Sequence, residues 1–371
     1  MSAASPTTHT PSPDEVRWFA RRVADQMSGA VTAAMIHLGD RLGLYAALHE
    51  IGEPCTAAAL AARCGLVERW VREWAANQAA AGLLVLEAGP GDEPGDERFA
   101  LAPAAVPVLV DRDDESHLAG LFHQLPQTMA RLVDLPKSFR TGLGRDYDDL
   151  GPEAAEGIER NFEPWLRRHL VDDVLPLVDG VTERLAAGAA AADVGCGTGG
   201  AVLCLARAFP AARVTGYDIS RHALDRARRR LADSGLTNAT FHDPRTRPLP
   251  EDGSLALVTT IGCLHDMTDP ASVVRSIRRA LADDGAWLIV DIEAHETLAA
   301  NIERNPMAAM MYGTSVLTCL PSGLSEPGGA GLGTLGLTPR RAEEMARAAG
   351  FTRFRRLDVD HPVDAFYEVR P

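Results

Sequence analysis

The stretch DVGCGTGG, residues 193–200, follows an alanine-rich apolar run and leads into AVLCLARAF. It satisfies two patterns at once. Gly195, Gly197 and Gly200 fit G-x-G-x-x-G, the dinucleotide fingerprint, in which a helix N-terminus faces a pyrophosphate. Asp193, Gly195, Gly197 and Gly199 also fit an acidic-x-G-x-G-x-G loop. No G-K-[ST] is present, so a nucleoside triphosphate loop is excluded. The turn alone leaves the other two open.

Outward from that turn, strands and helices alternate. Strand AAADV leads into the turn, and a helix follows at 199–209. Strand 213–218 precedes helix SRHALDRARRRLADSG, strand 239–243 leads through a proline-rich turn to strand 254–262, and Asp269-Pro270 opens a helix reaching 284. Strand 286–294 comes next. Thr338-Pro339 caps a last helix, and the strands 352–360 and 365–371 lie too close for a crossover helix, so they pair antiparallel. This predicts an α/β fold: a mostly parallel, Rossmann-like sheet with an antiparallel C-terminal strand. Alanine is a poor strand former, so the first strand is carried by its context.

Upstream, 17–84 read as helices, with a turn at Gly65 between TAAALAARCGL and VERWVREWAANQAAAGLLVLE. A strand, a loop of Gly, Pro, Asp and Glu at 88–97, and the strand-like RFALA complete a winged helix. The expected organisation is a disordered tail at 1–16, a winged-helix or dimerisation domain at 17–110, a helical linker and lid at 111–185, and a ligand-binding α/β domain at 186–371. KSFRTGLGRDYDDLGPE reads as a loop breaking the linker helices.

Composition narrows the classes. A net charge of −14 argues against nonspecific affinity for nucleic acid or anionic membranes. No apolar run reaches spanning length, and the polar N-terminus lacks a signal-peptide core, so a cytoplasmic protein is expected. The 6 cysteines have no C-x-x-C spacing and read as reduced thiols. No Cys/His/Asp cluster has metal spacing, so no metal is expected.

The acidic-x-G-x-G-x-G loop resembles that of class I S-adenosylmethionine (SAM) methyltransferases. MIHLGDRLGLYAAL, VERWVREWAANQAAAGLL, SFRTGLG, LHDMTDP and CLPSGLSEPGGAGLGTLG extend the resemblance to bacterial methyltransferases of natural-product type with an N-terminal winged helix. Within these, the chain is similar to indole carbon-methylating enzymes of pyrroloindoline alkaloid pathways. The resemblance implies SAM as cofactor and S-adenosylhomocysteine (SAH) as product. It assigns Asp193 and the loop residues Gly195, Cys196, Gly197, Thr198 and Gly199 to the methionine end. Asp218 and Ile219 fall at the ribose, Asp243 at the adenine amino group, and Gly262 beside the cofactor. Asp218 ends a strand where dehydrogenases also place an acid, so it does not discriminate. Asp243 does.

The winged helix is a weak candidate for DNA reading. Residues 15–101 hold 8 arginines against 12 acids, and Glu68 and Glu73 flank Arg69 and Arg72 on the second helix. Trp70 and Trp74, at i and i+4, form an apolar stripe suited to the core or to a subunit interface. A homodimer is expected, as in SAM O-methyltransferases with a similar domain. A DNA-binding regulator that senses SAM or a small ligand is the alternative.

On the acceptor side, His265 in CLHDMTDP follows the fourth strand. Its setting resembles the His-Asp of plant O-methyltransferases, where that histidine is the base, although Met267 stands where the plant pattern has tryptophan. Base and scaffold are equal readings. Asp291 and Glu293 end and follow the fifth strand, and one of them is expected to face the pocket, to orient the histidine. Met307, Met311 and Tyr312 are candidates for an adaptable apolar pocket, closed by Trp18, Phe19, Phe122, His123 and Tyr147. The acceptor is a small apolar or aromatic metabolite, methylated on carbon, oxygen or nitrogen.

Overall fold

A computed structural model describes residues 10–88 and 95–371. The chain divides into two compact units, Met1–Asp111 and Arg112–Pro371.

The first unit opens on helix α1 (Pro13–Arg41), inside the segment expected to be a tail. The reason is a capping box: Ser12 Oγ accepts from Glu15 N–H at 3.2 Å, and Ser12 N–H donates to Glu15 Oε2 at 2.7 Å. Pro13 sits at the first turn, where its missing N–H costs nothing. Residues 1–9 of the expected tail lie outside the described residues. Gly43, at φ 71°, separates α1 from α2 (Leu44–Ile51). The helix–turn–helix is α3 (Ala57–Cys64) and α4 (Glu68–Ala80), turned at Gly65 with φ 66°. Its wing is β2 (Leu84–Glu87) and β3 (Arg98–Leu101), with a short β1 (Cys55–Thr56) added in the order β1-β3-β2. The tryptophans part company. Trp74 is 5% exposed, stacks edge-on against Tyr45 and donates to Met35 O, whereas Trp70 is 79% exposed.

In the second unit, seven strands take the order β6-β5-β4-β7-β8-β10-β9. They are β4 (Ala190–Val194), β5 (Arg213–Tyr217), β6 (Ala239–His242), β7 (Leu255–Ile261), β8 (Leu281–Ile292), β9 (Arg353–Arg356) and β10 (Asp364–Arg370). Pairs from β6 to β8 are parallel; β10 runs antiparallel to β8 and β9. The alanine strand β4 is central, with Ala191 in one core and Ala192 and Val194 in the other. Two buried faces override its propensity. The helix after Pro270 stops at Ala280, short of the expected 284, because Leu281 already pairs with Leu255. Much of the expected loop 137–153 is helical: Leu135–Thr141 is a helix ended by Gly142, and Gly151–His169 begins another. Strand order reverses between β4 and β7, so the crevice beyond their carboxyl ends is where a ligand belongs.

Candidate active site

The turn after β4 is built by its glycines and by β5. Gly195 and Cys196 N–H both donate to Tyr217 O, at 2.8 and 3.0 Å. Gly195 has φ 74°, and a Cβ there would meet Cys263 at 2.6 Å, so a side chain is excluded twice over. Gly197, at φ 52°, faces open space. Its N–H donates to Asp218 Oδ2 at 2.7 Å, and Ser220 N–H donates to Asp218 Oδ1 at 2.8 Å. Ile219 N–H acts on the same carboxylate, whose four acceptor sites exceed these three backbone donors. Gly199 caps helix Gly200–Ala208, and Thr198 accepts from Arg230. Ile219 is exposed beside Asp218.

Carboxyls converge on this turn. Asp193 is buried at the end of β4, accepting from Thr259 Oγ1 at 2.6 Å. Burial, with a smaller push from the Asp218 charge, raises it to about 7 against the Thr259 hydrogen bond. Burial also raises Asp218, opposed by the Ser220 and Gly197 N–H groups. Asp266, beyond β7, is pushed up to about 7 by burial, His265 opposing and Asp291 and Asp218 adding. Among the described residues none of the three pairs with Lys or Arg. Asp243 differs: it follows β6 and is clasped by Arg245 at 2.8–3.1 Å, which holds it below the usual carboxylate range.

His265 lies on the turn Leu264–Asp266, just past Gly262, whose N–H donates to Val290 O. The imidazole is 4% exposed and its Nδ1 meets Asp291 Oδ1 at 2.6 Å. Burial alone would lower its pKa. The charge and hydrogen bond of Asp291, with Cys319 adding, outweigh burial and hold it well above the ordinary histidine value. Asp291 Oδ1 also accepts from Ile292 N–H at 2.8 Å, while its Oδ2 is buried without a partner. Glu293 goes elsewhere, pairing with Arg356 at 2.7 Å. Of the two acids, Asp291 meets the histidine.

The other pocket candidates scatter. Tyr147 reaches the crevice: its hydroxyl is enclosed, and burial, then Asp266, Asp218, Cys319 and Cys263, raise its pKa. Met307, Met311 and Tyr312 pack with Ala294, Leu335 and Ile292 as a small core beside the end of β8, a correction to the open pocket expected. His123 is held by Arg160 and Glu156 of helix Gly151–His169, with the neighbouring Phe122 partly buried. Trp18 and Phe19 are exposed on α1 of the first unit. Sequence reasoning missed Thr259, Asp266 and Cys319. Only Asp266 left a signal, as the residue after His265.

Residues 185–354 match the model of a methyltransferase domain, and residues 30–89 that of an Rv2258c-like winged HTH domain. The ubiquinone biosynthesis O-methyltransferase of Pseudomonas paraeruginosa is 31% identical over 172 residues, 44% of this chain and 66% of that enzyme. The matched stretch spans less than two thirds of the first curated relatives. Mitomycin 7-O-methyltransferase MmcR shares the fold at TM-score 0.69 and 22% identity, covering 96% of this chain and 98% of that one. Human N-acetylserotonin methyltransferase, solved with SAM, does so at TM-score 0.68 and 17% identity, covering 98% and 99%. The chain is a class I methyltransferase-fold protein with an N-terminal winged-helix domain.

Proposed function

We propose that the protein is a SAM-dependent methyltransferase acting on a small apolar or aromatic metabolite. One observation carries this reading: Asp193, Asp218 and Asp266 converge on a glycine-rich turn with no Lys or Arg partner among the described residues, His265 being the one basic neighbour that acts on Asp266. A pyrophosphate would add anions to that cluster. A sulfonium with an α-ammonium group supplies the missing cations, and the open face of Gly197 admits it closely. SAM, when bound, supplies the electrophilic methyl group. Asp218 would hold its ribose diol, Ile219 would lie against the adenine, and Asp193 would anchor the methionine end.

The chain's own contribution to transfer is a proton acceptor. His265, fixed by Asp291, presents Nε2 for an acceptor proton, and burial excludes water from it. This suits carbon methylation of an indole-type ring or oxygen methylation of a phenol. The experiment is titration of the full chain with SAM and SAH by calorimetry. Micromolar-range binding is expected, with NADH giving no heat; preference for NADH would overturn the reading.

A DNA-binding regulator is disfavoured by the recognition helix itself. Arg69 is paired to Glu73 and Arg72 to Glu68, each at 2.6 Å, leaving α4 little free positive charge for phosphates. The homodimer rests on α1, where Val16, Phe19, Val23, Met27 and Val31 form an exposed apolar stripe with Trp18 beside it. Light scattering at micromolar concentration should return about twice the chain mass of 39.7 kDa. The single-chain mass would refute the dimer.

A further inference from the structure

Arg131 opens the 3-10 turn Arg131–Val133, directly after helix Leu125–Ala130. It is 8% exposed, and its Nη2 is buried with no hydrogen-bond partner. The carboxylates nearest in this region are committed to another cation. Arg145 takes Asp134 at 2.6 Å and Asp149 at 3.4 Å. Among the described residues no carboxylate forms an ion pair with Arg131. Burial, and then the charge of Arg145, depress its pKa, with Asp149 and Tyr147 opposing. Gln127 lies one helical turn earlier, on the same face, and its Oε1 is also buried without a partner.

This polar pair is linked to the candidate active site. Gly144 N–H donates to Leu324 O at 2.7 Å and Arg145 N–H to Pro321 O at 2.9 Å, docking the Arg145 loop against helix Cys319–Gly323. Thr268, three residues beyond His265, donates to Ser322 O of the same helix. Tyr147, two residues past Arg145, carries its hydroxyl toward Asp266 and Asp218. A guanidinium taken out of water without a paired counter-charge destabilises the fold, and among the described residues only the more distant Asp149 and Tyr147 oppose this, without an ion pair. The compensation belongs to a ligand.

We infer that Arg131 binds a carboxylate on the methyl acceptor, which makes the acceptor an aromatic acid and not a neutral arene, while Gln127 Oε1 accepts from an N–H or O–H of the same molecule. A guanidinium fork matches a carboxylate in shape as well as charge. The inference rests on the methyltransferase reading. The other source of a carboxylate is the amino-acid end of the cofactor, and the test separates the two.

The full chain, saturated with SAH, would be titrated with two matched pairs: indole-3-acetate against indole-3-acetamide, and 4-hydroxyphenylacetate against its amide. Within each pair the ring is constant and only the charge changes. At least one acid should bind about ten- to a hundredfold more tightly than its amide, the scale of a charge-assisted hydrogen bond. Arg131→Gln should abolish that preference, leave SAH affinity unchanged, and leave the melting temperature equal or higher because an unpaired charge is gone. Arg131→Lys should retain part of the preference. Acids and amides that behave alike in the native chain, including no heat from either, would overturn the inference without any variant. So would a preference surviving in Arg131→Gln, or a fall in that variant's melting temperature, which makes Arg131 structural. Loss of SAH affinity in Arg131→Gln reassigns the carboxylate to the cofactor. Failure of the native chain to bind SAH at all sinks the methyltransferase reading itself.

Discussion

Turnover of His265→Ala should fall by about 10²–10⁴, the usual scale for a general base, while SAM affinity stays within a few-fold of native. A phenol or indole is a poor nucleophile until its proton is taken, and the imidazole on the turn after β7 is the group placed for that task. Asp291 holds its Nδ1 at 2.6 Å, which leaves Nε2 as the working nitrogen. The same contact fixes the pH dependence. Asp291 holds the imidazolium proton, so the neutral form that acts as base is reached only above histidine's ordinary value of about 6.5. The acid limb of the rate–pH profile should therefore lie above that value, turnover rising through it. Asp291→Asn should move the limb down and lower the maximum, since orientation is lost with the charge. Steady-state kinetics from pH 5 to 9 would check this. An unshifted limb, or near-native turnover in His265→Ala, leaves positioning as the whole of catalysis.

The parts of the molecule that sequence alone reveals are those with local signatures. Glycines at fixed offsets, Asp269-Pro270 and Thr338-Pro339 each mark a turn or cap through their own backbone chemistry, and the parallel sheet follows from the alternation they punctuate. The capping box Ser12-Pro13-Asp14-Glu15 carried the same kind of signal, yet it sits among prolines and serines that read as a tail. Asp291 and Glu293 lie two apart, so along a strand they share a face and parity does not separate them. The separation comes from β9, whose Arg356 draws Glu293 away. Trp70 and Trp74 fail as a pair for a similar reason: α4 buries its middle against Tyr45 and leaves its first turn in solvent. Burial away from an Arg or Lys partner, the property of Asp193 and Asp291, and burial of the unpartnered Arg131 Nη2 are relations between distant segments. No pattern in the sequence encodes them.

Asp218→Ala should weaken SAM and SAH binding by roughly 1–3 kcal/mol, about ten- to a hundredfold, without unfolding the domain. The carboxylate has two jobs at once. In the proposed function it would accept from the ribose hydroxyls, and it already accepts from Gly197 N–H at 2.7 Å and Ser220 N–H at 2.8 Å, tying the glycine turn to the end of β5. Removing it strands the diol against an apolar wall and frees the turn that seats the methionine end. Asp218→Asn separates these roles. Its one carbonyl oxygen can keep the Gly197 contact but cannot serve the turn and both hydroxyls together, so its loss should be intermediate. Burial raises Asp218 above the ordinary carboxylate value. A cationic ligand favours the ionised form, so SAM binding should release protons at any pH where Asp218 is partly protonated, a quantity that buffer-dependent calorimetry reads directly. Asp218→Ala should diminish that release as well as the affinity. Native affinity in Asp218→Ala would mean that the ligand does not lie across the ends of β4 and β5, and the assignment of the glycine turn to SAM would fail with it.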